Sequence, residues 1–121
     1  MSPGLLVAVG LFGGVGAVAR FLLDGAVSRR TGRAFPYGTL AVNLTGAFLL
    51  GLLAGAAVSG SAYKLAGVGF IGAFTTFSTW AFESHRLGED GRLCLGAANF
   101  AISLVLGVAL AWLGREVGLA L

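Results

Sequence analysis

Four long apolar runs joined by short polar connectors take up nearly all of this 121-residue chain. Residues 4–23 carry one charge, Arg20, and residues 38–58, 65–82 and 93–114 carry none. Each run has about the 17–25 residues that a helix needs to cross a bilayer. The connectors, residues 24–37, 59–64 and 83–92, are too short to build a soluble domain. The chain is 57% hydrophobic and 11% charged, more apolar surface than so small a core could bury. The expected fold is an all-α membrane protein, one four-helix transmembrane domain over residues 1–121, with both termini on one side.

Several function classes are excluded on the same grounds. The single cysteine, Cys94, forms no disulfide within the chain and no cysteine metal cluster. A net charge of +3 could point to nucleic acid, but eight basic residues scattered between apolar runs make no basic face. His85, in a connector, reads as solvated, and no carboxylate pair, nucleophile–base pair or phosphate loop appears, so no enzyme is expected. Met1 to Pro3 lacks a basic leader and the first run is too long for a signal peptide, so no cleaved segment is expected.

Glycine supplies 21 residues, most of them inside the runs. Small residues let transmembrane helices approach closely, and Gly10-x-x-x-Gly14 and Gly51-x-x-x-Gly55 have that spacing. Basic residues are uneven across the membrane. Lys64 and Arg115 lie on the side of the termini, against Arg29, Arg30, Arg33, Arg86 and Arg92 on the other. The positive-inside rule puts the termini outside, with a bias weak enough to permit insertion both ways.

Some residues are not explained by lipid. Arg20 either snorkels to the interface with Asp24 one turn on, or stands as a cation at a pore mouth. Asn43 is mid-span; it can bridge helices, or join Thr39, one turn before it, in a polar stripe. The stretch GFIGAFTTFSTWAFE (69–83) packs rings, hydroxyls and glycines together. Gly69 and Gly72 loosen the helix, and Thr75 and Thr76 can bond back to carbonyls and bend it. A break there frees carbonyl oxygens, good ligands for a hard cation. Beyond it Phe77 and Trp80 share a face, with Ser78 and Thr79 beside them. Ring edges are positive, so rings turned edge-on can replace part of an anion's water, and hydroxyls and an amide can donate hydrogen bonds. The competing reading is a lipid-facing aromatic belt, although belts favour tryptophan and tyrosine at the interfaces. Glu83 closes the run and could simply mark an interface.

GGVGAVARF (13–21), FPYGTLAVNLTGAFLLG (35–51) and the 69–83 stretch together resemble the Fluc (CrcB) family of fluoride channels, over nearly the whole chain. The resemblance implies a passive, fluoride-selective channel in the cell membrane that lets the ion leave the cytoplasm. It implies an antiparallel, dual-topology dimer of four-helix subunits, with the third helix broken near its middle and two pores along the interface. By motif position, Asn43 corresponds to the pore asparagine and Phe77 to the first ring of an aromatic box. Thr39, Ser78 and Thr79 correspond to its polar track, Arg20 and Glu83 to vestibule residues, and Ser103 to a further polar lining residue. Gly72 and Thr75 correspond to the positions whose backbone carbonyls hold a central structural sodium ion. The second box residue is usually phenylalanine and here is Trp80, whose indole brings an N–H donor.

The alternative transporter is a small four-helix, proton-coupled exporter of cationic drugs. It needs an acid deep in a span, whereas all five acids here are expected at span ends or in connectors. A non-transporting assembly factor would leave the threonine–aromatic stretch without a purpose.

Overall fold

The computed structural model describes Met1–Leu121 and is entirely helical, with four segments long and apolar enough to cross a membrane. Helix α1 (Pro3–Thr31) starts where Ser2 accepts the Leu5 N–H, with Pro3 at the first helical position, and ends at Gly32. Gly32 has φ +75°, a left-handed cap that costs glycine little, and its N–H returns to the Ser28 carbonyl. Helix α2 is Tyr37–Gly55. The third span begins with α3 (Gly60–Tyr63), continues as a π-helix (Lys64–Ile71) and ends its first half in α4 (Gly72–Phe74). Thr75 and Thr76 are extended, and α5 (Phe77–Glu89) completes the span. Helix α6 (Leu93–Leu119) is the fourth.

The helices and the apolar runs do not end together. At 29 residues α1 is about 43 Å long, more than the roughly 30 Å of hydrocarbon it must cross. Hydropathy falls where lipid ends, but backbone bonding runs on to Gly32. Asp24 and Glu83, expected at span ends, are therefore inside helices. Helix α6 likewise runs past residue 114, whereas α2 stops at Gly55, short of 58, before Ala57 turns to φ 57°.

Two kinds of packing hold the spans together. Helices α2 and α6 run side by side with their backbones nearly touching. A Cβ on Gly51 or Gly55 would collide with the Ala111 or Arg115 carbonyl, and one on Gly114 or Gly118 with that of Phe48 or Leu52. This close approach bears out the expectation for Gly51 and Gly55 and adds two glycines of α6 to it. The third span behaves differently. Its π-helix and α4 pack on α1, whereas α5 packs on α6. The break thus passes the span from one neighbour to another.

Gly10 and Gly14 do not make the close contact their spacing predicts within the chain. A Cβ at either would meet nothing within 4 Å. They lie on the outer side of α1 with exposed Leu11, Val15, Val18 and Leu22. The glycines of α1 that do meet a neighbour are Gly13 and Gly16, against Gly69 and Phe70 of the π-helix. Only 18 of 121 residues are buried, so most of the apolar surface is left for lipid or another chain to cover.

Candidate functional site

The break at Thr75–Thr76 is held by one side chain from another span. Asn43 of α2 donates its Nδ2 to the Thr76 carbonyl at 2.8 Å and accepts the Thr76 N–H on Oδ1, also at 2.8 Å. Unpaired backbone is tolerated at membrane depth only where protein or water satisfies it, and here one amide satisfies both groups of one residue. The Thr76 side chain caps α5 by accepting the Thr79 N–H at 3.2 Å. Thr75 bonds back to the Ile71 carbonyl through both its N–H and its hydroxyl, each at 3.0 Å. The expected bond back to a preceding carbonyl is thus present at Thr75, whereas the Thr76 hydroxyl caps the following helix instead.

Four carbonyls, those of Gly72, Ala73, Phe74 and Thr75, lose their helical donors at the break. In an unbroken helix Gly72 would accept from Thr76, and Thr75 from Thr79. Both N–H groups are instead turned to side chains, Asn43 and Thr76. Asn43 keeps a second amide hydrogen, since Nδ2 carries two.

The rings follow directly. Phe77 is 73% exposed and meets Trp80 edge-on, with centroids 5.3 Å apart and planes at 73°. Trp80 is buried and stacks on Phe100 of α6 at 4.8 Å. Its indole N–H points at the Asn99 backbone carbonyl at 3.4 Å. The donor that distinguishes it from phenylalanine is therefore turned into the subunit.

Three neighbouring depressions with shared lining residues are arrayed from these rings toward one end of the bundle. The first, about 270 Å³, is walled by Asn43, Thr75, Thr76, Phe77 and Trp80 among others. The second, about 150 Å³, shares Thr76 with it and is lined by Arg20, Thr39 and Thr79. The third, about 200 Å³ and mostly polar, shares Thr39 and Asp24 with the second and reaches Arg33, Glu83 and Arg86. The fold therefore brings Asn43, Phe77, Trp80, Thr79, Thr39, Arg20 and Glu83 onto one track.

Other expected residues stand elsewhere. Ser78 is exposed beside the track, its hydroxyl 3.4 Å from that of Thr76. The Ser103 hydroxyl is buried without a partner and lines none of the three depressions. Arg20 forms no ion pair with Asp24, whose Oδ1 accepts from Ser28 at 3.2 Å. Its Nε is buried without a partner. Glu83 accepts twice from Arg86, at 2.8 and 3.2 Å. His85, two residues after Glu83, pairs with Glu89 on an exposed face.

The reading from residues missed a polar cluster behind Trp80. Asn99, 1% exposed, donates Nδ2 to the Ser84 hydroxyl at 2.7 Å, and Ser84 donates to the Trp80 carbonyl at 2.9 Å. A signal was available, because Asn99 lies in an uncharged run just as Asn43 does.

The profile of the family described as CrcB-like protein, Camphor Resistance (CrcB), matches residues 7–115. The "Fluoride-specific ion channel FluC 2" of Mycobacterium tuberculosis is 54% identical over 115 residues, 95% of this chain and 91% of that protein. Its namesake from Mycolicibacterium paratuberculosis is 56% identical over 110 residues, 91% of this chain and 90% of its own. The "Fluoride-specific ion channel FluC" of Geobacter sulfurreducens is 44% identical over 114 residues, covering 90% and 92%.

Proposed function

This chain belongs to the CrcB family, and from that premise we propose that it is a fluoride-specific ion channel whose conducting path follows the track from Phe77 and Trp80 to Glu83. The observation that carries the function is the match to fluoride channels over nine-tenths or more of both chains. It is a multi-pass protein of the cell membrane and a channel rather than an enzyme. The exporter alternative finds no support among these relatives, and an assembly factor would not need a track lined by donors and ring edges.

Fluoride is small and strongly hydrated, so a selective path must replace its water with close donors. The spare Asn43 amide hydrogen and the Thr39 and Thr79 hydroxyls are such donors, and Phe77 and Trp80 offer positive edges. Arg20 beyond Thr39 attracts anions toward the narrow part. A larger chloride is excluded by size between the rings. Ser78 serves the same path from its exposed position; Ser103 contributes only through a neighbouring subunit or a moving side chain, since its own subunit gives it no place on the track.

Assembly belongs to the same proposal. The break leaves Gly72 and Phe77 on the outside of the subunit, where a second, antiparallel copy would close the groove. The Gly72 and Thr75 carbonyls, released from helical donors, fit a hard monovalent cation. Two chains would supply four neutral oxygens to a structural sodium ion, whose role is to neutralise freed carbonyls at the dimer centre. A high-resolution crystal showing a non-tetrahedral water there, with no sodium, would remove that part. Cys94 is exposed at the start of α6 and is the only cysteine. An impermeant thiol reagent should label a fraction from each side of intact cells; labelling from one side alone would rule out dual topology.

The channel reading is tested by efflux from liposomes. Purified protein should release fluoride but not chloride, without a proton gradient. Release driven only by protons, or of chloride equally, would overturn it.

A further inference from the structure

The cluster behind Trp80 is costly for a membrane protein. Asn99 is 1% exposed and its Oδ1 has no partner. Flipping the amide does not help. With the Ser84 hydrogen on the Trp80 carbonyl, Ser84 accepts from Nδ2 and Oδ1 is left unpaired; turned round, the amide would leave Nδ2 unpaired instead. A buried polar group left half-satisfied lowers stability relative to an apolar side chain of the same size. Packing alone would favour leucine at this position.

The cluster surrounds one functional ring. The Asn99 backbone carbonyl faces the Trp80 indole N–H, and the next residue, Phe100, stacks on the indole at 20°. The Asn99 side chain ties that turn of α6 to Ser84, one turn beyond Trp80 on α5. Gly96, one turn earlier on α6, lets the helices close, since a Cβ there would press on the Ser84 carbonyl. The register of α6 against α5 therefore decides which way the indole faces.

We propose that Asn99 and Ser84 are positioning residues for the conducting path: they hold the Trp80 indole with its N–H withdrawn, so that the ring offers carbon-bound edges to the ion as phenylalanine would. The inference rests on the channel reading. An indole free to turn would present its N–H to the groove shared with Phe77, where a strong donor holds fluoride and slows its passage.

The test is a double-mutant cycle in liposomes with Asn99→Leu, Trp80→Phe and the pair, each checked for intact assembly by size-exclusion chromatography. Asn99→Leu keeps the branched shape and heavy-atom count, though its methyl groups are bulkier, and removes the unpaired Oδ1, so the assembled protein should be at least as heat-stable as the parent. Its fluoride efflux should nevertheless fall by about tenfold, the scale of one buried hydrogen bond. In the Trp80→Phe background, whatever its own rate, Asn99→Leu should change efflux by less than about twofold, because no N–H remains to be turned. Ser84→Ala should lower efflux as Asn99→Leu does while also costing stability, since it strands the Asn99 amide, and Ser84→Thr, which keeps the hydroxyl, should keep the parent's rate. With Trp112 replaced by phenylalanine to isolate Trp80, Asn99→Leu should shift the Trp80 emission. Equal losses in both backgrounds, or unchanged efflux in an assembled Asn99→Leu, would overturn the proposal. A parent that fails to conduct fluoride would instead overturn the channel reading.

Discussion

The seam between α2 and α6 and the break in the third span solve opposite problems with the same residue type. At the seam, Gly51, Gly55, Gly114 and Gly118 remove side chains so that two intact helices can touch. In the third span, glycines accompany a helix that widens into a π turn and then stops. The seam keeps every backbone bond within its own helix. The break gives bonds up and recovers them from Asn43 and Thr76. Stability and function therefore occupy separate places in this small bundle. The seam supplies dispersion contacts and no chemistry, and the break supplies directed donors and free carbonyls at a cost in regularity.

Substitutions can test that division. The largest effect is expected from Gly114→Val at the seam. The obstructing atom is a backbone carbonyl, which cannot move aside as a side chain can, so the protein should fail to yield a monodisperse species on size exclusion. A well-folded, stable Gly114→Val would mean the seam is looser than it looks.

Asn43→Leu comes next. It strands the N–H and the carbonyl of Thr76, each worth about 1–3 kcal/mol when left unpaired in a buried setting. Thermal stability should drop and fluoride efflux should fall to background. Preserved stability with lost efflux would show that Asn43 serves the ion and that water can hold the break.

Phe77→Ile should reverse that pattern. The ring is mostly exposed in the subunit, so folding and assembly should change little, while efflux drops by about tenfold or more as the positive edge is lost. Efflux equal to the parent would remove ring edges from the mechanism.

Gly10→Ala should do least. No atom of the subunit lies within 4 Å of the added Cβ, so the folded subunit should melt within about 0.5 kcal/mol of the parent. A large loss would show that the outer α1 face is packed against a partner and not against lipid.

Much of this was legible in the residues. Uncharged runs long enough to span require helices, because nothing else satisfies the backbone in hydrocarbon. Glycines followed by Thr75–Thr76 announced the break, and the paired rings after it announced a site. Asn43 was visible as polar, but its reciprocal hold on Thr76 was not, because the two residues are 33 positions apart. Spacing alone left the partner of each glycine face undecided. Gly10 and Gly14 share the x-x-x interval of Gly51 and Gly55, yet one pair faces outward and the other a neighbouring backbone. The interval says that two residues share a face and does not say which way the face points.

Four membrane-crossing helices, the position where the third must fail, and the donors and rings gathered beside it can all be read from the residues alone. Each follows from local chemistry: hydropathy against lipid, glycine and threonine against helical bonding. It took the packed helices to show that the two halves of the third span lean on different neighbours, that Asn43 closes the break, and that the Trp80 N–H faces the Asn99 carbonyl. Those depend on the register between helices, which is set by how close two backbones can come and where buried polar atoms find partners across them.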